Sequence, residues 1–353
     1  MKNKKFIVFA SDLNSNTGEG ALGRFFLYKI FSRNKNSSIR IITPNQSFLF
    51  KGNFNSVHNN KQNNIYHKYL IPLIGAFKLR LFKKETRIIF LNYLPLWNFL
   101  LFIFLPSRTL LGPITGSNRK YPIKNFNFFL RNYFFPLFYF LSLRLIKLKF
   151  KNVIFSTNLL KNIVEKNIPK KKSTNYLFNF VYNYFDDDLK NKFRFKSKKD
   201  LILFYNKNHE TKKNNNLNFF INTISKKHKV TVLGDKFNNK NLTNLGYLKK
   251  KKLKLILNKT KFIISSNENL MSLFNIEAIN SGAFVIYDKK SHKNSINLKS
   301  PFLALNFANS STSSFDKLLK NYKKIKIDKN FYSKVHKQKL KIELFFKRFY
   351  LGI

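Results

Sequence analysis

Residues 261–288, KFIISSNENLMSLFNIEAINSGAFVIYD, constrain the fold more than any other stretch. KFIISS is a short apolar run rich in β-branched residues, the composition of a buried strand. SNEN interrupts it with small polar residues. Leu270, Leu273, Ile276 and Ile279 then recur at helical spacing, so a helix follows. Gly282 closes the helix, and AFVIY is the next strand. Strands joined through a helix in this way run parallel, because a parallel pair needs a long crossover connection. A chain assembled from such units is an α/β protein.

Two carboxylates stand out in this unit. Glu268 falls in the loop after the first strand, at the mouth of the sheet where ligands bind in such folds. Glu277 lies in the helix beside Ile276 and Ala278. On spacing alone, a helix-start residue favoured by the dipole and a solvated helix charge would also account for them. The chain has only 16 Asp and Glu residues, however, so two here are not surface filler. In addition, SNENLMSLFNIEAINSG resembles the donor-site signature of the retaining glycosyltransferases of family 4, which have the GT-B fold. In that signature one acidic residue precedes a turn, and a second opens IEA with a small residue and Gly behind it. The resemblance implies that Glu268 touches the transferred sugar and acts in catalysis. It implies that Asn269 and Leu270 belong to the donor site and that Glu277 holds the nucleotide ribose. Glu268 to Glu277 is one residue longer than the family's usual spacing.

At 353 residues the chain is long for one domain and comfortable for two. Its 67 Lys and Arg give a net charge of +51, a field that attracts nucleic acid, anionic lipid or phosphate-bearing ligands. The charge is spread along the chain. The excess of Lys, Asn, Ile, Phe and Tyr has the look of AT-rich coding bias, which would make part of it mutational. With no Cys there is neither a disulfide framework nor a thiolate metal site, and the six His show no ligand spacing. The 42 Phe and 16 Tyr with so much positive charge motivate a nucleic-acid-binding alternative. Against it, the aromatics sit in apolar tracts, and no nucleic-acid-binding signature is present. A non-catalytic membrane-surface protein of the same fold is a third reading.

Read from the start, KFIVFA is the first strand, and MKNKKFIVFAS is too short a hydrophobic region for a signal peptide. Gly18, Gly20 and Gly23 flank the start of a helix, where backbone N–H groups favour anions. The spacing is not the dinucleotide fingerprint. In the family this Gly-rich loop faces the acceptor and the donor phosphates. Arg24 reads as an exposed helix charge or an anion contact. SIRIITP is a strand, residues 48–64 a polar loop, NIYHKYLIPLI strand-like, and AFKLRLF a helix. Residues 88–106 are nearly long enough to span a bilayer, but Asn92, Pro95 and Asn98 break them into a strand and a short buried helix. RTLLGPI is a strand, and GPITGS after it resembles a GPIGGG-type loop of some family 4 enzymes. That likeness implies acceptor-side roles for Gly112, Thr115 and Gly116. The Phe-rich segment Phe126–Lys149, with its basic residues, fits an amphipathic helix on an anionic membrane or a core helix trimmed with lysines.

KNVIFSTNLLKNIVEKN is strand, cap and helix. NFVY at Asn179 resembles the family's segment between domains, so the expected domains are 1–178 on the acceptor side and 179–335 for the nucleotide-sugar donor. Residues 336–353 form a C-terminal helix that could return to the first. Asp186, Asp187 and Asp188 read as helix capping or, less simply, as a metal-binding DxD motif. Leu201 opens the second domain. The loop after its strand carries Lys207 and Lys212, which the resemblance places on the donor diphosphate. The expected fold is therefore GT-B: two Rossmann-like domains with parallel sheets facing across a cleft, the Glu268 loop opposite the Gly18–Gly23 loop.

The expected reaction moves a sugar, with retention, from a nucleotide-diphospho-sugar to a glycan or lipid-linked acceptor in surface polysaccharide assembly. No cofactor and no metal is expected, the nucleotide sugar being the substrate. Partners would be an anionic membrane surface and no nucleic acid, with the protein cytoplasmic and peripheral on the inner face of the membrane.

Overall fold

The computed structural model describes the chain except residues 1–4, 12, 14–17, 34–37, 45, 51–64, 84–85, 92–95, 116–125, 168–174, 194–200, 207–214, 266–268, 291–299, 309–311 and 352–353. Two compact units emerge: Met1–Val181 with Lys341–Ile353, and Tyr182–Leu340.

The first unit is built on seven strands: β1 (Lys5–Ala10), β2 (Ser38–Ile42), β3 (Ser47–Leu49), β4 (Arg87–Leu91), β5 (Leu110–Ile114), β6 (Asn152–Phe155) and β7 (Asn175–Leu177). Their order is β3-β2-β1-β4-β5-β6-β7, parallel throughout except for the β2–β3 pair at the edge. β1, β4 and β5 are buried along almost their whole length, as strands covered on both faces must be. The connecting helices are α1 (Gly18–Arg33), α2 (Ile65–Arg80), α3 (Phe99–Phe104), α4 (Phe126–Lys149) and α5 (Lys161–Asn167).

Two expectations are corrected here. NIYHKYLIPLI is not a strand: α2 runs from Ile65 through Arg80 with Pro72 inside it. Pro72, Ala76 and Leu79 are buried at spacings of four and three, a helical face that packs on the sheet. Packing along that face outranks the strand preference of its Ile and Tyr residues. The polar stretch 48–64 also yields structure at its start, since Phe48 and Leu49 lie in edge strand β3.

The second unit carries β8 (Leu201–Asn206), β9 (Val230–Gly234), β10 (Leu242–Gly246), β11 (Thr260–Ile264), β12 (Phe284–Asp288) and β13 (Phe302–Leu305). The order is β10-β9-β8-β11-β12-β13, all parallel. Its helices are α6 (Leu189–Lys192), α7 (Asn215–Ser225), α8 (Lys250–Lys259), α9 (Leu273–Asn280) and α10 (Thr312–Lys320). Phe220 of α7 stacks on Phe307 at 4.2 Å and 2°, in a core shared with Phe262 and Phe315. The C-terminal helix α11 (Lys329–Leu351) divides between the units at Lys341. Within the first unit Phe346 packs on Phe26, and Arg87 donates to the Phe349 carbonyl.

Among the described residues no helix is long and apolar enough to cross a membrane.

Candidate functional site

The strand order of the second unit reverses between β8 and β11: from β8 the chain proceeds outward to β9 and β10, then returns to β11 on the other side. Ligands of open parallel sheets bind beyond the carboxyl ends of strands at such a switch point. The loops rooted there are 207–214 after β8 and 265–272 after β11. These are the loops in which the sequence places Lys207, Lys212, Glu268, Asn269 and Leu270. Lys207, Lys212 and Glu268 lie outside the described residues; the roots of both loops do not.

The β11 loop closes on itself through Asn275. Its side-chain amide donates to Ser265 Oγ and to the Leu270 carbonyl, both at 3.0 Å. Ser272 is the N-cap of α9 and its hydroxyl accepts the Asn275 N–H. Asn269 accepts from the Met271 N–H at 3.1 Å, while Leu270 is buried. Leu270 therefore belongs to the turn before α9, not to the helix whose period it continues. Asn269 is half-buried.

One turn into α9, Glu277 is half-buried. Burial pushes its carboxyl above the ordinary glutamate range, and the Lys250 ammonium at the start of α8 pulls it partly back. A folded pKa raised above the unfolded one adds stability that is complete below about pH 4.3 and lost as pH rises through the raised value. Expected, then: in urea titrations the wild-type chain loses stability relative to Glu277→Gln as pH rises from about 4 to 7. A constant difference across that window would show that Glu277 titrates like a solvated carboxylate.

Other groups at this end of the sheet were not legible in the sequence. Tyr205, at the end of β8, stacks on Phe274 of α9 at 4.8 Å. Tyr247, just past β10, donates to Asp235 at 2.7 Å. Asn206 donates to the Asp235 carbonyl at 3.1 Å and accepts the Asp235 N–H at 2.9 Å. Small polar residues at the ends of apolar runs, such as Ser265 and Asn206, are the one signal that could have flagged them.

In the first unit the switch falls between β1 and β4. Gly18 and Gly20 lie in the first turn of α1, the helix that follows β1, with Gly20 buried. Arg24 is not an exposed helix charge: half-buried, it donates to the Leu13 carbonyl and ties the loop to the helix. Gly112 is a strand residue of β5 and buried, rather than part of the loop that follows. It holds φ +119°, and a Cβ there would lie 2.2 Å from the Ile154 carbonyl oxygen. Thr115 stands half-buried just past the strand, and Gly116 lies outside the described residues.

The three aspartates do not converge. Asp188 is the N-cap of α6, but its carboxylate accepts from the Asn191 side chain rather than from a backbone N–H. Asp187 pairs with Lys339, and the Asp186 N–H donates to Asn280. Among the described residues no three His, Asp or Glu side chains gather to hold a metal.

No family model and no curated protein matches the sequence. The fold does have counterparts among solved structures. Sucrose-phosphate synthase from Thermosynechococcus elongatus is similar over 99% of this chain and 100% of its own, at 11% identity and a TM-score of 0.58. Anabaena HepE, solved with UDP and glucose, is similar over 98% and 100%, at 10% identity and 0.53. The UDP-GlcNAc 2-epimerase of Methanocaldococcus jannaschii, solved with UDP-GlcNAc and UDP, is similar over 92% and 93%, at 11% identity and 0.51. With two parallel-sheet units and this likeness along its whole length, the chain is an α/β protein of the GT-B fold.

Proposed function

We propose that the chain is a glycosyltransferase of the retaining family 4 type. It takes a sugar from a nucleotide-diphospho-sugar and delivers it to a glycan or lipid-linked acceptor in surface polysaccharide assembly. The observation that carries this reading is Glu277. A carboxylate half-buried in the helix that follows the β11 loop, with its pKa raised by burial, destabilises the fold that holds it when charged. Ribose hydroxyls donating to it would repay that cost on binding. HepE and the epimerase, which share the fold, each hold UDP in their solved forms, which supports a nucleotide-diphosphate ligand.

In this reading the diphosphate lies between the roots of the β8 and β11 loops. The N-terminus of α9, with Lys207 and Lys212, offsets the negative charge that grows on it as the glycosidic bond breaks. Glu268 faces the sugar, where positive charge develops on the anomeric centre. No resident cofactor takes part.

Thermal unfolding in the presence of UDP, GDP or single-stranded DNA tests this. A nucleotide at about a hundred times its Kd should stabilise by about 2.7 kcal/mol, while DNA should not. A rise with DNA and none with either nucleotide would instead establish the nucleic-acid reading; no rise with any of them would remove the donor site altogether.

A further inference from the structure

Three helices of the first unit turn apolar side chains outward, where water-facing helices carry charge. In α2 the exposed residues Leu70, Ile74 and Phe77, with Leu81 just past its end, follow one another at four, three and four positions. That spacing is a single stripe. In α4 Tyr133, Leu137, Phe140 and Leu148 form a second, with exposed Arg144 completing the series. α3 packs against both helices and exposes Leu100 and Ile103.

These stripes share one side of the sheet. Ala76 and Leu79 of α2, Leu101 and Phe102 of α3, and Leu143 and Ile146 of α4 all enter the same core. Arg80 donates to the Phe104 carbonyl at 2.6 Å, and Lys149 to the Phe102 carbonyl at 3.2 Å. The end of α3 is thus tied to its neighbour on each side. α2 and α4 hold Lys and Arg, α3 holds neither, and none of the three holds Asp or Glu.

An exposed apolar face of this kind marks an interaction site. A second copy of the chain would bring two cationic faces together, each from a chain of net charge +51. Nucleic acid would answer the charge and leave the Leu and Ile side chains in water. An anionic lipid surface answers both: acyl chains take the apolar stripes, headgroups take the basic ends, and Tyr suits the boundary between them. We propose that the outward face of α2, α3 and α4 docks on an anionic bilayer, the helices lying in the interface of one leaflet. This stands apart from the sugar-transfer reading and survives its failure.

The test is flotation of the full chain with vesicles of phosphatidylcholine, with and without phosphatidylglycerol. Trp97, the one Trp of the chain, stacks at 5.9 Å on half-buried Phe135, on the side of α4 that carries buried Ser142 and Ile146. The reporter for the outward face is therefore an indole placed on its stripe by Tyr133→Trp in a Trp97→Phe background. Expected results are binding at least about tenfold stronger to the anionic vesicles, weakening with salt. Brominated lipid should quench the indole of the Tyr133→Trp variant. The exposed-site double variant Ile74→Glu with Leu137→Glu should lose at least about tenfold in binding while unfolding at the wild-type temperature. Should that variant unfold early, quenching in the Tyr133→Trp variant decides alone. Binding without quenching, or undiminished in a folded variant, would overturn the proposal in favour of charge alone. A salt-resistant dimer that leaves vesicles free would overturn it in favour of a second copy.

Discussion

Gly234→Ala is expected to cost the second unit about 3 kcal/mol or more, measured by urea unfolding. Gly234 ends β9 at φ +89°, a conformation that side-chain-bearing residues adopt only under strain. The space is closed as well. A Cβ there would lie 2.2 Å from the Asn206 carbonyl oxygen and 3.2 Å from the Tyr205 ring. That carbonyl is backbone, held at 2.9 Å by the Asp235 N–H, so it cannot swing aside without opening the end of the β8–β9 ladder. Gly246→Ala is the internal control. Its φ is +66°, but nothing lies within 4 Å of the added carbon, so only the strain of about 1–2 kcal/mol remains. The difference between the two substitutions is the overlap itself, and equal costs would contradict it. The same shift moves the root of the 207–214 loop, because Asn206 is its first anchor. If the proposed donor site is right, nucleotide binding by Gly234→Ala should weaken even at temperatures where the variant is folded.

Central strands such as β1, β4, β5, β11 and β12 were legible because each is a short, continuous apolar run buried on two faces, whereas the edge strands β3 and β10, largely exposed, carry no such run. α9 was legible from the period of its core positions, though the loop before it was not. Leu270 continues that period yet lies outside the helix, because Ser272 stops the helix from extending backward. The bonds from Asn275 to Ser265 and to Leu270 depend on how far that loop folds back, which spacing alone does not encode. α2 was misread for a related reason. Ile65, Tyr66, Tyr69, Ile71 and Ile74 favour strands, and only the sheet beneath Pro72, Ala76 and Leu79 decides otherwise. The outward faces of α2 and α4 were ambiguous because those helices are apolar all round. Without a polar side, no pattern says which Leu or Phe meets solvent. Arg24 shows the limit for single charges. Its carbonyl partner Leu13 lies eleven residues away across a loop, and no local spacing signals the bond.

Glu277→Gln and Glu268→Gln are expected to fail in different ways. In the proposed reading ribose hydroxyls donate to Glu277 both before and during reaction, so its loss should weaken donor binding by about 1.5–3 kcal/mol, roughly ten- to a hundredfold. Isothermal titration with a nucleotide sugar measures this. The same substitution should raise the stability of the unliganded protein near neutral pH, since burial disfavours the charged carboxylate that Gln removes. Stability gained and affinity lost in one variant is the mark of a carboxylate kept for a ligand. A purely structural glutamate would lose stability and leave binding alone. For the same reason wild-type donor affinity should rise with pH through the raised pKa, and the variant should lack that rise. In the proposed reading Glu268 acts on a centre that becomes positive only in the transition state. Its removal should therefore lower kcat at saturating donor while changing donor affinity little. The added residue between the two glutamates sets the alternative outcome. If Glu268→Gln keeps full kcat while Glu277→Gln loses binding, another residue of that loop, Asn267 or Asn269, makes the sugar contact. If neither substitution changes binding or rate, the β8–β11 switch point is not a donor site and the sugar-transfer reading fails.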